Sequence, residues 1–111
     1  MLSHRFDSED KARIWIFDPY CADCYSNQNC SIHHIYSCRA DYTDSVCNGI
    51  MLCEYHHRIA DGHNQHQTGN PLRQKYLAIA LRQVVKSGHI FNDTDKKFLE
   101  SVKADVDTIL L

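Results

Sequence analysis

The 111-residue sequence has no hydrophobic run long enough to cross a membrane and no apolar leader at its start. Its longest apolar runs are residues 14–17 and 76–81, whereas a helix needs roughly 20 apolar residues to span a bilayer. Residues 1–10 are polar and charged, unlike a secretory signal peptide. We therefore expect a cytoplasmic protein with no membrane partner, whose cysteines are reduced and available as metal ligands.

The sequence also lacks a strong net charge, an internal repeat and a low-complexity segment. Its formal net charge is −2 at pH 7, which is unusual for a protein with strong non-specific affinity for DNA. Between positions 56 and 86, however, the only acidic residue is Asp61, so a basic face can exist on a mildly acidic chain. The length predicts a single domain, residues 1–111, which is small enough that a bound structural metal ion would add to its stability.

All six cysteines and four of the eight histidines fall within residues 21–58. Two residues separate Cys21 from Cys24, and two separate Cys53 from His56. This spacing lets a tight turn or a first helical turn aim both side chains at one tetrahedral ion, so we predict a structural Cys3His zinc site. The other three cysteines have no partner at ligand spacing, and we expect them to be small packing residues: Cys30, Cys38 and Cys47.

Three further histidines form a second candidate centre. His57 directly follows His56, and successive helical residues project about 100° apart, so both cannot easily serve the same ion. His33 and His34 supply the other half of this centre. A neutral imidazole binds divalent metals well and is the side chain best suited to proton transfer near neutral pH. One cluster is therefore predicted to be structural and the other chemical.

The order of these motifs resembles the HNH endonuclease family, whose fold is the ββα-metal finger. The matching stretches read CADC, SIHHI and NGIMLCEYHHR, and the resemblance covers residues 17–62. It implies an α+β fold: a small ββα-metal finger with a structural zinc, preceded by an N-terminal segment. Two helices over residues 70–111 would form a C-terminal extension.

The resemblance also implies a role for each motif residue. His34 matches the general base that activates the attacking water, and His33 and His57 match ligands of the catalytic divalent ion. Asn48 matches the asparagine that fixes the loop between the two halves of the finger. The structural zinc ligands of the family's zinc-containing branch match Cys21, Cys24, Cys53 and His56.

Two positions depart from the family's pattern. The fourth zinc position is more often Cys, but His56 remains a sound zinc ligand. His33 stands where many members carry Asp, so two nitrogens would hold the catalytic ion. Imidazole favours later transition metals over magnesium. We therefore expect turnover with Mn²⁺, Ni²⁺, Co²⁺ or Zn²⁺ as well as Mg²⁺.

The function that the resemblance implies is hydrolysis of DNA phosphodiester bonds with one catalytic metal, and the same chemistry would serve RNA. Arg58 and Arg39 are the candidate contacts to nucleic-acid phosphate. The lone finger is similar to compact HNH proteins of phages and mobile elements, which implies the cytoplasm of a bacterium or of a phage-infected host cell. The alternative is a non-cleaving, zinc-stabilised module that binds nucleic acid or protein, as an accessory factor in recombination or packaging.

The predicted secondary structure follows the motifs. Residues 30–35 and 50–52 are expected to be strands, with Gly49 in the turn before the second strand, and residues 54–60 a helix. Because alternation along a strand sends His33 and His34 to opposite faces, we expect the first strand to end or twist there. Residues 8–17 read as a short helix or a strand.

Two helices are predicted beyond the finger. Asn70 and Pro71 read as the N-cap and first residue of a helix that runs to about Ser87, with Leu72, Tyr76, Ala80 and Val84 on one apolar stripe. A last helix begins near position 93, and its apolar face consists of residues 98, 99, 102, 106 and 109. We expect these helices to pack together against the finger.

Overall fold

The computed structural model describes residues 20–36, 44–61 and 69–110, with the side chain of Asp61 excepted. The predictions for residues 8–17, Cys38 and Arg39 lie outside these ranges. Within them the fold is α+β, with one two-stranded antiparallel sheet and four α-helices.

The sheet is formed by β1 (Ser31–His34) and β2 (Gly49–Leu52). The antiparallel register pairs His33 with Ile50 and His34 with Gly49. Strand β1 ends at His34, as predicted. The prediction that Gly49 lies in a turn is wrong, because its backbone is extended (φ −122°, ψ 136°) and begins β2.

The chain turns instead in a short 3-10 helix, Val46–Asn48, just before β2. Ser45 caps this turn, since its side-chain oxygen accepts a hydrogen bond from the backbone N–H of Cys47 at 3.1 Å. The three residues of the turn are buried. Capping and burial therefore provide the change of direction, and Gly49 is free to pair with His34.

Helix α1 (Glu54–Asp61) follows β2 after a single residue, Cys53. The backbone N–H of His57 donates to the carbonyl of Cys53 at 2.8 Å, so Cys53 stands at the entry to the helix. The helix packs against both strands. Strand, strand and helix thus follow in the order that the HNH resemblance implies.

Helix α2 (Pro71–Lys86) confirms the capping prediction. The side chain of Asn70 accepts from the backbone N–H groups of Leu72 and Arg73 at 2.9 and 3.2 Å. At the other end Gly88 adopts a left-handed φ of +79°, where glycine has no steric cost. The predicted stripe faces inward, with its first member partly buried and the rest buried, and two further side chains join it: Arg73 and Leu77.

The predicted last helix is interrupted at Val102, where φ is −116° and ψ is 28°. It forms two helices, α3 (Asp93–Ser101) and α4 (Lys103–Leu110). The two halves have different neighbours: α3 packs against the 3-10 turn, and α4 packs against α2. A single straight helix would not give both halves these contacts, and the apolar pattern alone does not reveal the break.

The finger and the C-terminal helices share one hydrophobic core. Ile35, Ile50 and Leu52 come from the sheet region, and they belong to the same buried cluster as Tyr76 and Phe98. Phe98 is fully buried, and its ring meets Tyr36 edge-on with centroids 5.8 Å apart. Among the described residues, every helix is too short or too polar to span a bilayer.

Candidate functional site

A tight turn presents the first two zinc-ligand candidates. The backbone N–H of Tyr25 donates to the carbonyl of Cys21 at 2.9 Å, and the N–H of Cys21 donates to the carbonyl of Ser26 at 2.9 Å. Tyr25 takes a left-handed φ of 61° to close this turn. The N–H of Ala22 donates to the carbonyl of Met51 at 2.8 Å, which fastens the turn to β2.

The four predicted ligands converge, with all ligand atoms within 4.8 Å of one another. The sulfur atoms of Cys24 and Cys53 lie 3.8 Å apart, and Nδ1 of His56 lies 3.2 Å from the sulfur of Cys53 and 3.7 Å from that of Cys21. Donors placed tetrahedrally around zinc, at about 2.3 Å for sulfur and about 2.0 Å for nitrogen, stand roughly 3.5 to 3.8 Å apart. The cluster can therefore hold a metal ion, and its donor set suits zinc.

The backbone around Cys21 favours its thiolate form. Burial opposes ionisation, but hydrogen bonds from the backbone of Cys53, Cys24 and Asp23 outweigh it and lower the pKa of Cys21. The N–H of Asp23 lies 3.4 Å from this sulfur. Because the thiolate is the form that binds metal, the turn prepares Cys21 for coordination.

Asp23 is a neighbour of the zinc cluster that the sequence analysis missed. Its Oδ1 atom lies 3.6 Å from Nε2 of His56 and 3.3 Å from the ammonium of Lys75, and its Oδ2 accepts a 2.7 Å hydrogen bond from the hydroxyl of Tyr76. Burial raises the pKa of Asp23, but the bonds from Tyr76 and Lys75 and the charge of His56 lower it overall. Asp23 lies between Cys21 and Cys24 in the sequence, and this position could have identified it as a neighbour of the cluster.

His33 and His57 meet at the junction of β1 and α1. Their ring centroids are 4.8 Å apart at an interplanar angle of 75°. Nδ1 of His57 lies 2.9 Å from the hydroxyl of Ser31. Ser31 and His33 share a face of β1 because side chains alternate along a strand. That two-residue spacing would have identified Ser31, which the sequence analysis missed.

The two histidines have different surroundings. His33 is only 3% exposed and lines a small cavity with residues of α2, among them Arg73 and Tyr76. His57 is partly exposed and lines a surface cleft with Ser31 and Arg58. One histidine of the pair is therefore in the protein interior, and the other is at the surface, on α1.

Arg58 is the nucleic-acid contact candidate that falls within the described residues. Its side chain is 77% exposed and pairs with Glu54, one helical turn earlier in α1. Both residues line the cleft beside His57. The guanidinium of Arg58 and the imidazole of His57 thus border the same cleft.

His34 has a different partner from the other two histidines. Its Nε2 atom lies 3.1 Å from Oδ1 of Asp44, and the two side chains are 18% and 27% exposed. His34 is the last residue of β1. Asp44 was missed because it lies in a polar loop without a periodic pattern.

Asn48 fixes the chain directly after β1. It is fully buried, its side-chain oxygen accepts from the N–H of Tyr36 at 2.8 Å, and its side-chain nitrogen donates to the carbonyl of Tyr36 at 3.1 Å. Its own carbonyl accepts from the N–H of Ile35 at 2.9 Å. These three bonds tie the residue before β2 to the segment that follows β1.

The remaining cysteines in the described ranges have the packing character predicted for them. Cys47 is fully buried, and burial raises its pKa to about 12. Cys30 is partly buried against the core. Within residues 20–36, 44–61 and 69–110, the Cys3His cluster is the one group in which three or more potential metal ligands converge.

Comparison of the chain with protein-family models, with curated proteins and with solved structures gives no match in any of the three. The resemblance to HNH endonucleases therefore rests on the motif residues and on their arrangement.

Proposed function

We propose that this protein is a metal-dependent endonuclease that hydrolyses DNA phosphodiester bonds by a one-metal HNH mechanism. The observation that carries the proposal is the meeting of His33 and His57, whose ring centroids are 4.8 Å apart. They come from β1 and α1, and two of the zinc-ligand candidates, Cys53 and His56, lie at the start of the same helix. Two neighbouring imidazoles offer nitrogen ligands for a divalent ion.

The nitrogen atoms of His33 and His57 are donors that suit the second, catalytic ion. His33 and His57 would hold it, with water and phosphate oxygens completing its coordination, and the hydroxyl of Ser31 engages Nδ1 of His57. A hydrogen bond to the second nitrogen of a histidine ligand fixes its ring orientation. When bound, such an ion neutralises charge on the scissile phosphate and on the leaving oxygen.

The protein's own residues supply the other functions. His34 accepts the proton of the attacking water as general base. Asn48 keeps the backbone after His34 in place through its three hydrogen bonds to Ile35 and Tyr36. Arg58 lies on the cleft beside His57 and attracts the phosphate backbone.

The role of the zinc-ligand cluster would be to position His57. Cys53 and His56 lie at the entry to α1 and in its first turn, directly before His57. A zinc ion on all four ligands would hold that helical turn against the tight turn that carries Cys21 and Cys24. The position of His57 beside His33 would then be fixed before substrate arrives. Preorganisation of this kind is what a catalytic site needs from its supporting structure.

One observation favours the alternative of a non-cleaving module that binds nucleic acid or protein. His33 is only 3% exposed, and a buried histidine more often supports packing than chemistry. In that case the zinc-stabilised finger would bind its partner without cutting it. The two functions differ in one measurable result, which is strand cleavage.

The test is cleavage of supercoiled plasmid by zinc-loaded protein with added Mn²⁺, Ni²⁺ or Mg²⁺, with a single-stranded RNA as a second substrate. We expect nicked or linear DNA with at least one metal. His34→Gln, which cannot act as a base, should lower the rate about 10²- to 10⁴-fold. Its zinc content and melting temperature should equal those of the wild type.

Lys86→Ala is the control, because Lys86 is an exposed residue at the end of α2. It should cleave at the wild-type rate. Wild-type protein that binds DNA but cuts it with none of the metals would establish the non-cleaving alternative. Full activity in His34→Gln would remove His34 from the mechanism.

A further inference from the structure

We propose that Asp44 is a positioning residue for the His34 general base, and this inference rests on the proposed nuclease function. The evidence is the 3.1 Å contact between Oδ1 of Asp44 and Nε2 of His34. Both side chains are largely shielded from solvent, at 27% and 18% exposure. The contact joins the loop before β2 to the end of β1.

The chemistry of the pair selects one form of the imidazole. An ionised carboxylate can only accept hydrogen bonds, so Nε2 of His34 must carry the proton that it donates to Asp44. In the neutral ring Nδ1 is then the unprotonated nitrogen, and this is the atom that can take a proton from water. The carboxylate thus sets both the tautomer and the ring orientation, as the aspartate does in a serine protease triad.

The fold fixes Asp44 from its C-terminal side. Its neighbour Ser45 is 2% exposed, caps the 3-10 turn and donates a 2.6 Å hydrogen bond to Oδ1 of Asp95. Asp95 is itself buried in α3 and accepts a 2.8 Å bond from Nε2 of His89. A buried polar network therefore holds the residue next to Asp44.

The fold also fixes His34 relative to this turn. The register pairs His34 with Gly49, the residue that directly follows the 3-10 turn. The 3-10 turn and the paired strands thus connect Asp44 to His34 through a short stretch of ordered backbone. A side chain held by a rigid path of this kind can orient a base, because little entropy is lost when the contact forms.

The experiment compares Asp44→Asn and Asp44→Glu with the wild type. Asp107→Asn is the control, because the side chain of Asp107, on α4, is 61% exposed. Nitrogen-15 NMR of zinc-loaded protein reports which ring nitrogen of His34 carries the proton. Plasmid cleavage gives kcat and KM, and metal analysis and thermal melting report the fold.

An amide can donate as well as accept, so Asp44→Asn also permits the tautomer with the proton on Nδ1. We expect the Nε2–H tautomer in the wild type and a mixture in Asp44→Asn. The variant should lose kcat by at least about tenfold, with KM and zinc content unchanged. Asp44→Glu, which retains the carboxylate, should recover part of kcat, and Asp107→Asn should match the wild type.

The outcomes separate this inference from the proposed function. If the wild type cleaves and Asp44→Asn keeps both its kcat and the wild-type tautomer, Asp44 has no positioning role while the nuclease function stands. A fall in kcat without a change of tautomer would overturn the stated role in the same way. If the wild type cleaves no substrate, both the function and the inference are overturned.

Discussion

The hydroxyl of Tyr36 donates a 2.5 Å hydrogen bond to Oδ2 of Asp105, which joins the segment after β1 to helix α4. Asp105 is only 1% exposed, and its other oxygen accepts from Nε2 of Gln74 at 2.9 Å and from the N–H of Gly69 at 2.8 Å. The guanidinium of Arg73 lies 5.6 Å from the centre of the Tyr36 ring. One buried carboxylate thus ties α2 and α4 to the finger.

This network gives Asp105 a predictable effect on acid stability. Burial raises the pKa of the carboxyl, but the bonds from Gln74, Tyr36 and Gly69 outweigh burial and lower the pKa below its ordinary value. The unfolded chain then takes up this proton at a higher pH than the folded chain. The stability from Asp105 is therefore present above the ordinary carboxyl pKa of about 4 and is lost as pH falls through the lowered folded value.

Asp105→Asn should therefore destabilise the protein near neutral pH and matter less in acid. We expect its free energy of unfolding to lie about 1 to 3 kcal/mol below that of the wild type near neutral pH. The difference should shrink as pH falls below about 4. Urea unfolding over this pH range checks it. Both proteins carry the same zinc ligands, so the difference between their curves isolates Asp105.

The control for this experiment is Asp107→Asn, since Asp107 is an exposed residue that pairs with Lys103 on α4. Its unfolding curve should follow that of the wild type within about 0.5 kcal/mol. A difference between Asp105→Asn and the wild type that stays constant with pH would contradict the lowered pKa of Asp105.

Removal of one predicted zinc ligand should remove the ion and weaken the fold. Cys21→Ser should lose the bound zinc and unfold roughly 10 °C or more below the wild type. Cys30→Ser is the matched control, because Cys30 lies outside the ligand cluster and its sulfur contacts the carbonyl of Ser26 at 3.1 Å. Metal analysis and calorimetry give both quantities. Equal zinc content in the two variants would refute the Cys3His site.

Asp23 should adjust the affinity of the zinc site without being a ligand. Its carboxylate faces Nε2 of His56 at 3.6 Å and is held by Tyr76 and Lys75. Partners of this kind typically change metal affinity by about 10- to 100-fold. We expect Asp23→Asn to weaken zinc binding by about tenfold in a competition with a chromophoric chelator.

Tyr76→Phe tests the connection from Asp23 to α2, because it removes only the hydroxyl that holds Oδ2. It should weaken zinc binding in the same direction as Asp23→Asn and by a smaller factor. Wild-type affinity in Asp23→Asn would show that the carboxylate serves only to anchor α2.

Arg58 should contribute to nucleic-acid binding through charge alone. It is exposed on the cleft beside His57, so Arg58→Ala should weaken binding to all DNA sequences alike. The slope of log affinity against log salt should fall by about 1. Arg82→Ala, at an exposed site on α2, is the matched control. Identical salt slopes for the two variants would exclude a phosphate contact by Arg58.

The sequence by itself determined the parts of this protein that depend on neighbours along the chain. Two-residue spacing identified the four converging zinc-ligand candidates, and the Asn70 and Pro71 cap located the start of α2. The order of the motifs placed both strands to within a residue or two. Such signals are local, because a cap or a ligand pair is complete within one turn of chain.

Only the tertiary structure decided which distant polar groups meet. The side chain of Asp44 contacts His34, although the two lie in different segments. Ser45 donates a hydrogen bond to Asp95, and Tyr36 donates one to Asp105, both far away in the sequence. The expected last helix is likewise interrupted at Val102, and its two halves pack against the 3-10 turn and against α2. A carboxylate in a polar stretch looks the same whether it will be solvated or buried. Its partner is fixed only when the core assembles and the cost of burying an unpaired charge must be met.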